Sequence, residues 1–355
     1  MFVISRNAAQ EYQKKRTKLI EYVDDFMLNH PDIDKLVGAK GIDMMKINHQ
    51  NHAAFISMIL LLNRFDSLAQ SLPWVYRAYH NHGFSYDYFL VALNAWIEAI
   101  SKYLEKDYAD EIIPVYKWII EKHDENILKS KEEKHSIYPV DEKWINVFEK
   151  FFESLMKGDS FRCVDIAVKA CFEEKDVVEF YVNVAQPSLY KIGELWENGK
   201  ITVAWEHLAT AIVSKVISHL SALFRRPFNE ERRALVLCIT GEYHQIGAWM
   251  VANCLEFNGW TTNFLADSLP FIDAMEHIAS FRPDIVAISV TMQYNITPMI
   301  DFIKKIKDDK PDIKIIAGGQ AFRPFPDLPQ ILGADGYSDS CTSAALLADK
   351  LISYS

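Results

Sequence analysis

The spacing of apolar and polar residues divides this chain of 355 residues into three regions. From about residue 5 to residue 128, apolar residues recur at helical intervals, and glycine and proline are scarce. Helical spacing returns from about residue 141 to residue 225, in segments joined by short links. After Arg233, short runs rich in β-branched residues alternate with helical segments. We therefore expect a multidomain α and α/β protein, with domains at residues 1–135, 141–228 and 232–355.

The first domain is predicted to be all-helical. One of its segments shows the pattern clearly, because Phe89, Leu93, Trp96 and Ile100 fall on a single helical face. The charged stretch at residues 121–134 is typical of a linker or a solvated helix end.

The second domain contains four helical segments, which begin near residues 144, 161, 177 and 202. Gly158-Asp159 interrupts the pattern between the first two. Four helices with short links are typical of a four-helix bundle.

The third domain alternates strands and helices. Its apolar runs at residues 235–239, 262–265, 285–290 and 313–317 are too short for helices and rich in strand-forming residues. Helical segments separate them, and another ends the chain. This alternation predicts a Rossmann-like parallel sheet with helices on both faces.

Charge and composition narrow the function classes. The chain has 38 basic and 48 acidic side chains, a formal net charge of −10, which argues against broad nucleic-acid binding. The first residues lack the apolar core of a secretory leader, and the longest apolar runs are too short to span a membrane. The five cysteines include no CxxC pair. We therefore expect a cytoplasmic protein with free thiols.

An imidazole follows the first predicted strand. His244 lies between that strand and the next helix, at the sheet edge where ligands bind to α/β proteins. Glu242 can orient one of its ring nitrogens while the other meets a metal. Gly247 leaves space for a bulky group close to the backbone. This loop therefore predicts a site for a large, metal-containing cofactor.

Two further turns are expected at the same edge. Ser289 and Thr291 lie at the end of the third predicted strand, and Gly318-Gly319 lies at the end of the fourth. Their hydroxyls can bond a polar ligand group, and the glycines leave room for a flat one.

These motifs, in this order, resemble the cobalamin-binding domain. That family usually shows Asp-x-His-x-x-Gly, then Ser-x-Leu or Ser-x-Thr, then Gly-Gly. The resemblance implies that His244 is the lower axial ligand of cobalt, with Tyr243 beside it in the cofactor-binding loop. It also implies that the dimethylbenzimidazole tail enters a slot lined by the Ser289, Thr291 and Gly318-Gly319 turns. Here Glu242 replaces the usual aspartate.

The segment before the sheet resembles the Trp-x9-Glu-His motif of light-responsive cobalamin photoreceptors. It contains Trp196, Glu206 and His207 at that spacing. The resemblance implies that the bundle caps the upper face of cobalamin, with Trp196 packed over the upper ligand and Glu206 and His207 lining the pocket. Glu197 stands where the best-known photoreceptor repressors have a cobalt-capturing histidine. A photoproduct that takes a second histidine ligand from that position is therefore not expected.

The first domain resembles the globin-like helical domain of photocobilins, which pair cobalamin with a bilin. The segments at residues 48–60 and 79–88 carry this resemblance, and His49 and His52 share a helix face that could bracket a tetrapyrrole. No cysteine precedes Cys163, so biliverdin in this domain would be held non-covalently. We see no DNA-binding helix-turn-helix of the MerR type.

These resemblances lead to one main hypothesis and two alternatives. The main hypothesis is a non-enzymatic, light-responsive sensor that binds adenosylcobalamin or methylcobalamin and signals to a protein partner. One alternative is a corrinoid carrier that shuttles methyl groups within a methyltransferase system. The other is a haem or redox sensor on the same fold. Homo-oligomer formation and the presence of a bilin stay open at the level of sequence.

Overall fold

The structure is a computed structural model, and it describes residues 2–38, 41–132, 138–224, 231–266 and 269–353. The chain divides into two compact units. The first comprises residues 1–135 with Glu197–Lys200, and the second comprises residues 136–196 with 201–355. The predicted domain bounds at residues 1, 135, 228 and 355 lie outside the described residues, as does part of the charged stretch at 121–134.

The first unit is helical, as predicted. Its helices are α1 (Arg6–Leu28), α2 (Ile33–Val37), α3 (Gly41–Leu62), α4 (Phe65–Asn81), α5 (Asp87–Tyr103), α6 (Lys106–Glu121) and α7 (His123–Ser130). The face predicted on α5 is buried, including Phe89, Leu93, Trp96 and Ile100. The Ser5 side chain caps α1 by accepting a hydrogen bond from the Ala8 N–H.

The second unit begins with the predicted four-helix bundle. Its helices are α8 (Ile145–Met156), α9 (Ser160–Ala170), α10 (Glu174–Phe180), which continues through a π-helical turn (Tyr181–Ala185) into α11 (Gln186–Glu197), and α12 (Val203–Leu223). Gly158, with φ of +69°, ends α8, and the Asp159 side chain caps α9. Thr202 caps α12 by accepting a hydrogen bond from the Trp205 N–H, so the helix that carries Glu206 and His207 starts one residue after Thr202.

A parallel sheet with flanking helices completes the second unit. Its elements are β1 (Arg233–Cys238), α13 (Ile246–Phe257), β2 (Thr261–Leu265), α14 (Phe271–Phe281), β3 (Ile285–Ser289), α15 (Ile296–Asp309), β4 (Lys314–Gly318), α16 (Leu328–Ile331), β5 (Gly336–Ser338) and α17 (Cys341–Ser353). The strand order is β2-β1-β3-β4-β5 and every pairing is parallel. The predicted Rossmann-like fold class is confirmed, but the sequence pattern missed β5, which has three residues.

The bundle and the sheet share one hydrophobic core. Buried residues of α8 to α12 and of β1, α13 and α17 belong to the same cluster. Within it, the Asn253 side chain donates a hydrogen bond of 2.8 Å to the Tyr181 hydroxyl, which gives both buried polar groups a partner. Among the described residues, every helix is too short or too polar to cross a membrane.

Candidate cofactor-binding site

The predicted turns meet at one edge of the sheet. The strand register places Cys238, Ser289, Gly318 and Ser338 side by side, as the last or near-last residues of β1, β3, β4 and β5. Strand order reverses between β1 and β3, which makes this edge the topological switch point. Ligands of doubly wound α/β proteins bind in the crevice at this position.

Hydrogen bonds to Glu242 connect the loop after β1 to the loop after β3. Its side chain is fully buried, and both oxygens accept hydrogen bonds. Oε2 accepts from the N–H groups of Thr291 and Met292 at 2.9 Å and from Asn295 Nδ2 at 3.1 Å. Burial acts to raise the pKa of Glu242, but His244 and these donors hold it below its ordinary value. The carboxylate is therefore anionic and fixed in place.

His244 is held by the other oxygen of the same carboxylate. Its Nδ1 lies 2.5 Å from Glu242 Oε1, which also accepts a 3.1 Å hydrogen bond from the His244 N–H. The His244 side chain is 56% exposed. Burial acts to lower the pKa of His244, but the hydrogen bond to Glu242 and the charges of Glu242 and Glu206 raise it. Nδ1 is thus occupied, and Nε2 is the ring nitrogen available to a metal.

The glycines of the site differ in what surrounds them. Gly319 has φ of +104°, and a Cβ there would lie 2.2 Å from the Val290 carbonyl oxygen. A Cβ on Gly318 would lie 2.6 Å from the Ser338 carbonyl oxygen. At Gly247, in the first turn of α13, a Cβ would meet no heavy atom within 4 Å. The Gly-Gly turn is therefore required by the fold, whereas Gly247 borders open space.

Three other predicted residues lie in the loops at this edge of the sheet or at the strand end beside them. Tyr243 is 72% exposed. Ser289 and Thr291 are half-buried, and within the described ranges neither hydroxyl has a hydrogen-bond partner in the protein. Thr291 contributes through its backbone N–H, which the sequence did not predict.

The cap residues lie on α11 and α12. Glu206 accepts a 2.9 Å hydrogen bond from the Thr210 hydroxyl and lies 2.6 Å from His207 Nδ1. Its charge contributes to raising the pKa of His244, so the structure brings this cap carboxylate within electrostatic reach of the imidazole. The His207 side chain is 74% exposed, and Trp196 is half-buried in the last turn of α11.

Sequence reasoning missed three residues of the β3–α15 turn. The Asn295 side chain and the Met292 N–H each donate a hydrogen bond to Glu242, and Tyr294 lies near this carboxylate. Burial, with the charges of Glu242 and Tyr243, raises the pKa of Tyr294 to about 12. Asn295 is a favoured residue type at a helix start, which would have suggested helix capping rather than a contact with Glu242.

The donor set fits cobalamin. Within the described ranges, no group of three or more His, Cys, Asp or Glu side chains is placed to hold a bare metal ion. A single accessible imidazole instead suits a metal that brings its other ligands with it, as cobalt does in a corrin ring. The open space beside Gly247 suits a bulky group near that imidazole.

The first unit contains a separate small cavity of about 60 Å³. Its polar lining includes His49, His52 and Tyr88. His49 is buried, with Nδ1 2.5 Å from Asp24 and Nε2 2.9 Å from the Tyr88 hydroxyl. Burial, together with the charge of His49, lowers the pKa of His52 to about 3, so this ring is neutral. Ligand pockets usually have volumes of about 300–1,000 Å³. The volume of this cavity is therefore too small for a tetrapyrrole.

A four-helix cap joined to a parallel sheet, with a carboxylate-held imidazole at the switch point, is the arrangement of corrinoid-binding proteins. Comparison with known families agrees. Residues 232–346 match the family described as "B12 binding domain", and residues 147–221 match a second family with the same description. The chain is therefore a cobalamin-binding protein.

Individual relatives come from two functional groups. Over 141 residues the chain is 28% identical to the HTH-type transcriptional repressor CarH of Myxococcus xanthus, covering 39% of this chain and 46% of that protein. The chain thus spans about half the length of that repressor. Over 206 residues it is 22% identical to trimethylamine corrinoid protein 1 of Methanosarcina mazei, covering 55% of this chain and 92% of the relative.

A solved structure shares the fold. The monomethylamine corrinoid protein of Methanosarcina barkeri aligns with a TM-score of 0.51 and 16% identity, covering 59% of this chain and 99% of that one. This likeness supports the fold of the second unit.

Proposed function

We propose that the protein is a light-responsive cobalamin sensor in which His244 binds cobalt and the bundle covers the opposite face of the corrin. The observation that carries this proposal is the His244 imidazole, bonded through Nδ1 to buried Glu242 and accessible at the switch point. When bound, adenosylcobalamin or methylcobalamin supplies a cobalt–carbon bond that light can break.

Three residues of the cap would make the arrangement of the bundle depend on the upper ligand of cobalt. Trp196 offers a large, rigid indole to pack against the upper ligand, and Glu206 and His207 present polar groups beside it. If the upper ligand were lost, the surface against which Trp196 would pack would be removed. The bundle would then favour another arrangement relative to the sheet, because the two arrangements would differ in their contacts with the ligand.

Similarity to a transcriptional repressor supports a regulatory role. The net charge of −10 favours an output to a protein partner over direct contact with nucleic acid. The response to light rests on the Trp-x9-Glu-His pattern, whose residues lie at the end of α11 and the start of α12. Because Glu197 follows Trp196, that position could not supply a second histidine to cobalt.

Illumination of the cobalamin-loaded protein tests the proposal. Protein loaded with adenosylcobalamin in the dark is expected to change its visible absorption spectrum on illumination, because the bond to the upper ligand is lost. Free adenosylcobalamin under the same light is the control, and the bound spectrum should differ from it before and after exposure. An unchanged spectrum of the loaded protein would remove light sensing from the proposal.

A methyl-carrier role is the second candidate, and the similarity to corrinoid proteins of methylamine metabolism favours it. It uses the same His244 and the same cap. Methyl transfer from bound methylcobalamin to an acceptor, in the dark and with a methyltransferase present, would support the carrier over the sensor.

For the first unit, we infer that biliverdin binds non-covalently only to an opened form of the cavity at His52. The lining is rich in aromatic side chains, but the volume of about 60 Å³ requires the surrounding helices to separate before biliverdin can enter. Added biliverdin is expected to change its absorption spectrum on binding and to be released by denaturation. Ala92→Leu, which fills part of the cavity, should weaken binding. A biliverdin spectrum unaffected by the protein would exclude this site.

A further inference from the structure

A cavity of about 550 Å³ lies beside β5, the outermost strand on one side of the sheet. Its lining comes from β4, β5, α17 and the segment that contains α16. Pockets that bind small molecules usually have volumes of about 300–1,000 Å³. This cavity therefore has room for a small organic molecule.

The cavity is separate from the cobalamin site. Lys314, which lines it, is the first residue of β4, whereas Gly318 of the Gly-Gly turn is the last. Because a parallel strand rises about 3.3 Å per residue, the two ends of β4 lie about 13 Å apart. The residues predicted to bind cobalamin do not line the cavity. A ligand in the cavity could therefore be bound at the same time as cobalamin.

Two lysine side chains make the lining of the cavity cationic. Lys314 and Lys350 both line it, and within the described ranges neither ammonium group has a carboxylate partner. Asp335 is the acidic residue of the lining, and its Oδ2 already accepts hydrogen bonds from Lys307 Nζ at 2.5 Å and from the Ile315 N–H at 2.7 Å. The two ammonium groups therefore favour an anionic ligand, although the chain as a whole carries a net charge of −10.

Other lining residues suit the body of an organic molecule. Leu347 and Leu351 on α17 are half-buried and provide apolar surface. Tyr337 on β5 adds a hydroxyl group. Burial raises the pKa of Tyr337, so this hydroxyl keeps its proton and can donate a hydrogen bond to an anion. The lining thus combines cationic, hydrogen-bonding and apolar groups.

We propose that this cavity binds a small organic anion, with its carboxylate or phosphate group at Lys314 and Lys350 and its apolar body against Leu347 and Leu351. Ammonium groups make charge-assisted hydrogen bonds with both kinds of anion, and these are stronger than hydrogen bonds between neutral groups. The apolar body gains affinity from the area that it removes from water. The site does not depend on whether the bound cobalamin senses light or carries a methyl group.

Calorimetric titration of the full chain, loaded with cobalamin and kept in the dark, tests the proposal. The probes are naphthyl phosphate, naphthoate and the neutral naphthylmethanol, which share an aromatic body and differ in charge. At least one of the two anions is expected to bind, and naphthylmethanol should bind at least about tenfold more weakly, because it lacks the charge-assisted hydrogen bonds. Binding of only one anion would identify the charged group that the site accepts.

Lys314→Met and Lys350→Met test the position of the anion. Each substitution removes an ammonium group and keeps an unbranched side chain, so each should weaken anion binding about tenfold. Lys305→Met is the matched control, because Lys305 lies on α15, outside the lining, in an exposed pair with Asp309. It changes the net charge of the same unit equally and should leave anion affinity unchanged.

Three results would overturn the proposal. The first is wild-type anion affinity in both Lys314→Met and Lys350→Met, or an equal loss of affinity in Lys305→Met. The second is binding of naphthylmethanol as tight as that of the anions. The third is failure of both anions to saturate the wild-type protein below about 1 mM, the dissociation constant of a very weak complex. Melting temperatures show that the variants are folded, as expected for one half-buried and two exposed lysines.

Discussion

His244→Ala is expected to weaken cobalamin binding by about 100-fold or more, because loss of a supporting group alone typically costs 10- to 100-fold in metal affinity. Loss of the ligand itself should cost at least as much. The imidazole is exposed, and its Nδ1 lies 2.5 Å from the buried carboxylate of Glu242. Absorbance titration with hydroxocobalamin in the dark gives the dissociation constant. The bound spectrum should lose the contribution of an axial nitrogen.

His277→Ala is the matched control for this prediction. His277 lies on α14 in the same unit, and its Nε2 lies 3.0 Å from Asn263 Nδ2, a residue of β2. Its removal should leave cobalamin affinity unchanged. His244→Ala should still fold, because the ring is half-exposed and water can fill the space that it occupied. If cobalamin affinity is the same in His244→Ala as in the wild type, His244 is not the cobalt ligand, and the sensor and carrier proposals lose their common basis.

The fold could be predicted wherever the apolar pattern of an element reflects its own burial. β1, β3 and β4 are buried on both faces of the sheet, so they form continuous apolar runs that stand out in the sequence. β5 does not, since Gly336-Tyr337-Ser338 contains one large apolar residue. The position of β5 is instead determined by its contacts with β4 and α17. The Asp335 N–H donates to the Ile315 carbonyl oxygen, and Gly336 leaves room for Leu347, which would lie 2.7 Å from a Cβ there.

The site could be predicted only where its contacts join residues that are close in sequence. Glu242 and His244 are two residues apart, so their pairing is a local feature that spacing can suggest. Asn295 is 53 residues from Glu242, and its contact exists only because β1 and β3 are neighbours in the sheet. Single-sequence patterns do not contain such distant pairings. The Glu242 side chain thus has a wider role than orienting His244, since it also joins the β1 loop to the turn after β3.

Gly319→Ala is expected to destabilise the second unit by about 3 kcal/mol, the sum of a strained left-handed backbone and a steric conflict with fixed main-chain atoms. At φ of +104°, the new Cβ would lie 2.2 Å from the carbonyl oxygen of Val290 and 2.7 Å from its carbonyl carbon. Val290 cannot retreat easily, because its carbonyl oxygen accepts the Ala321 N–H and its own N–H donates to Gly318. Thermal unfolding should show a midpoint lower by about 6–12 °C for a unit of this size.

Gly247→Ala separates the structural and ligand-binding roles of glycine in this site. A Cβ at Gly247 meets no heavy atom within 4 Å, and the residue lies in the first turn of α13, where alanine is the better helix former. The cobalamin-free variant should therefore melt at or slightly above the wild-type temperature. Cobalamin affinity should nevertheless fall about tenfold, since the methyl group takes space assigned to the cofactor and crowding costs about 1–3 kcal/mol. Unchanged cobalamin affinity in Gly247→Ala would show that the space beside this glycine is not where cobalamin binds. For the other variant, an unchanged melting midpoint in Gly319→Ala would contradict the tight packing of the Gly-Gly turn.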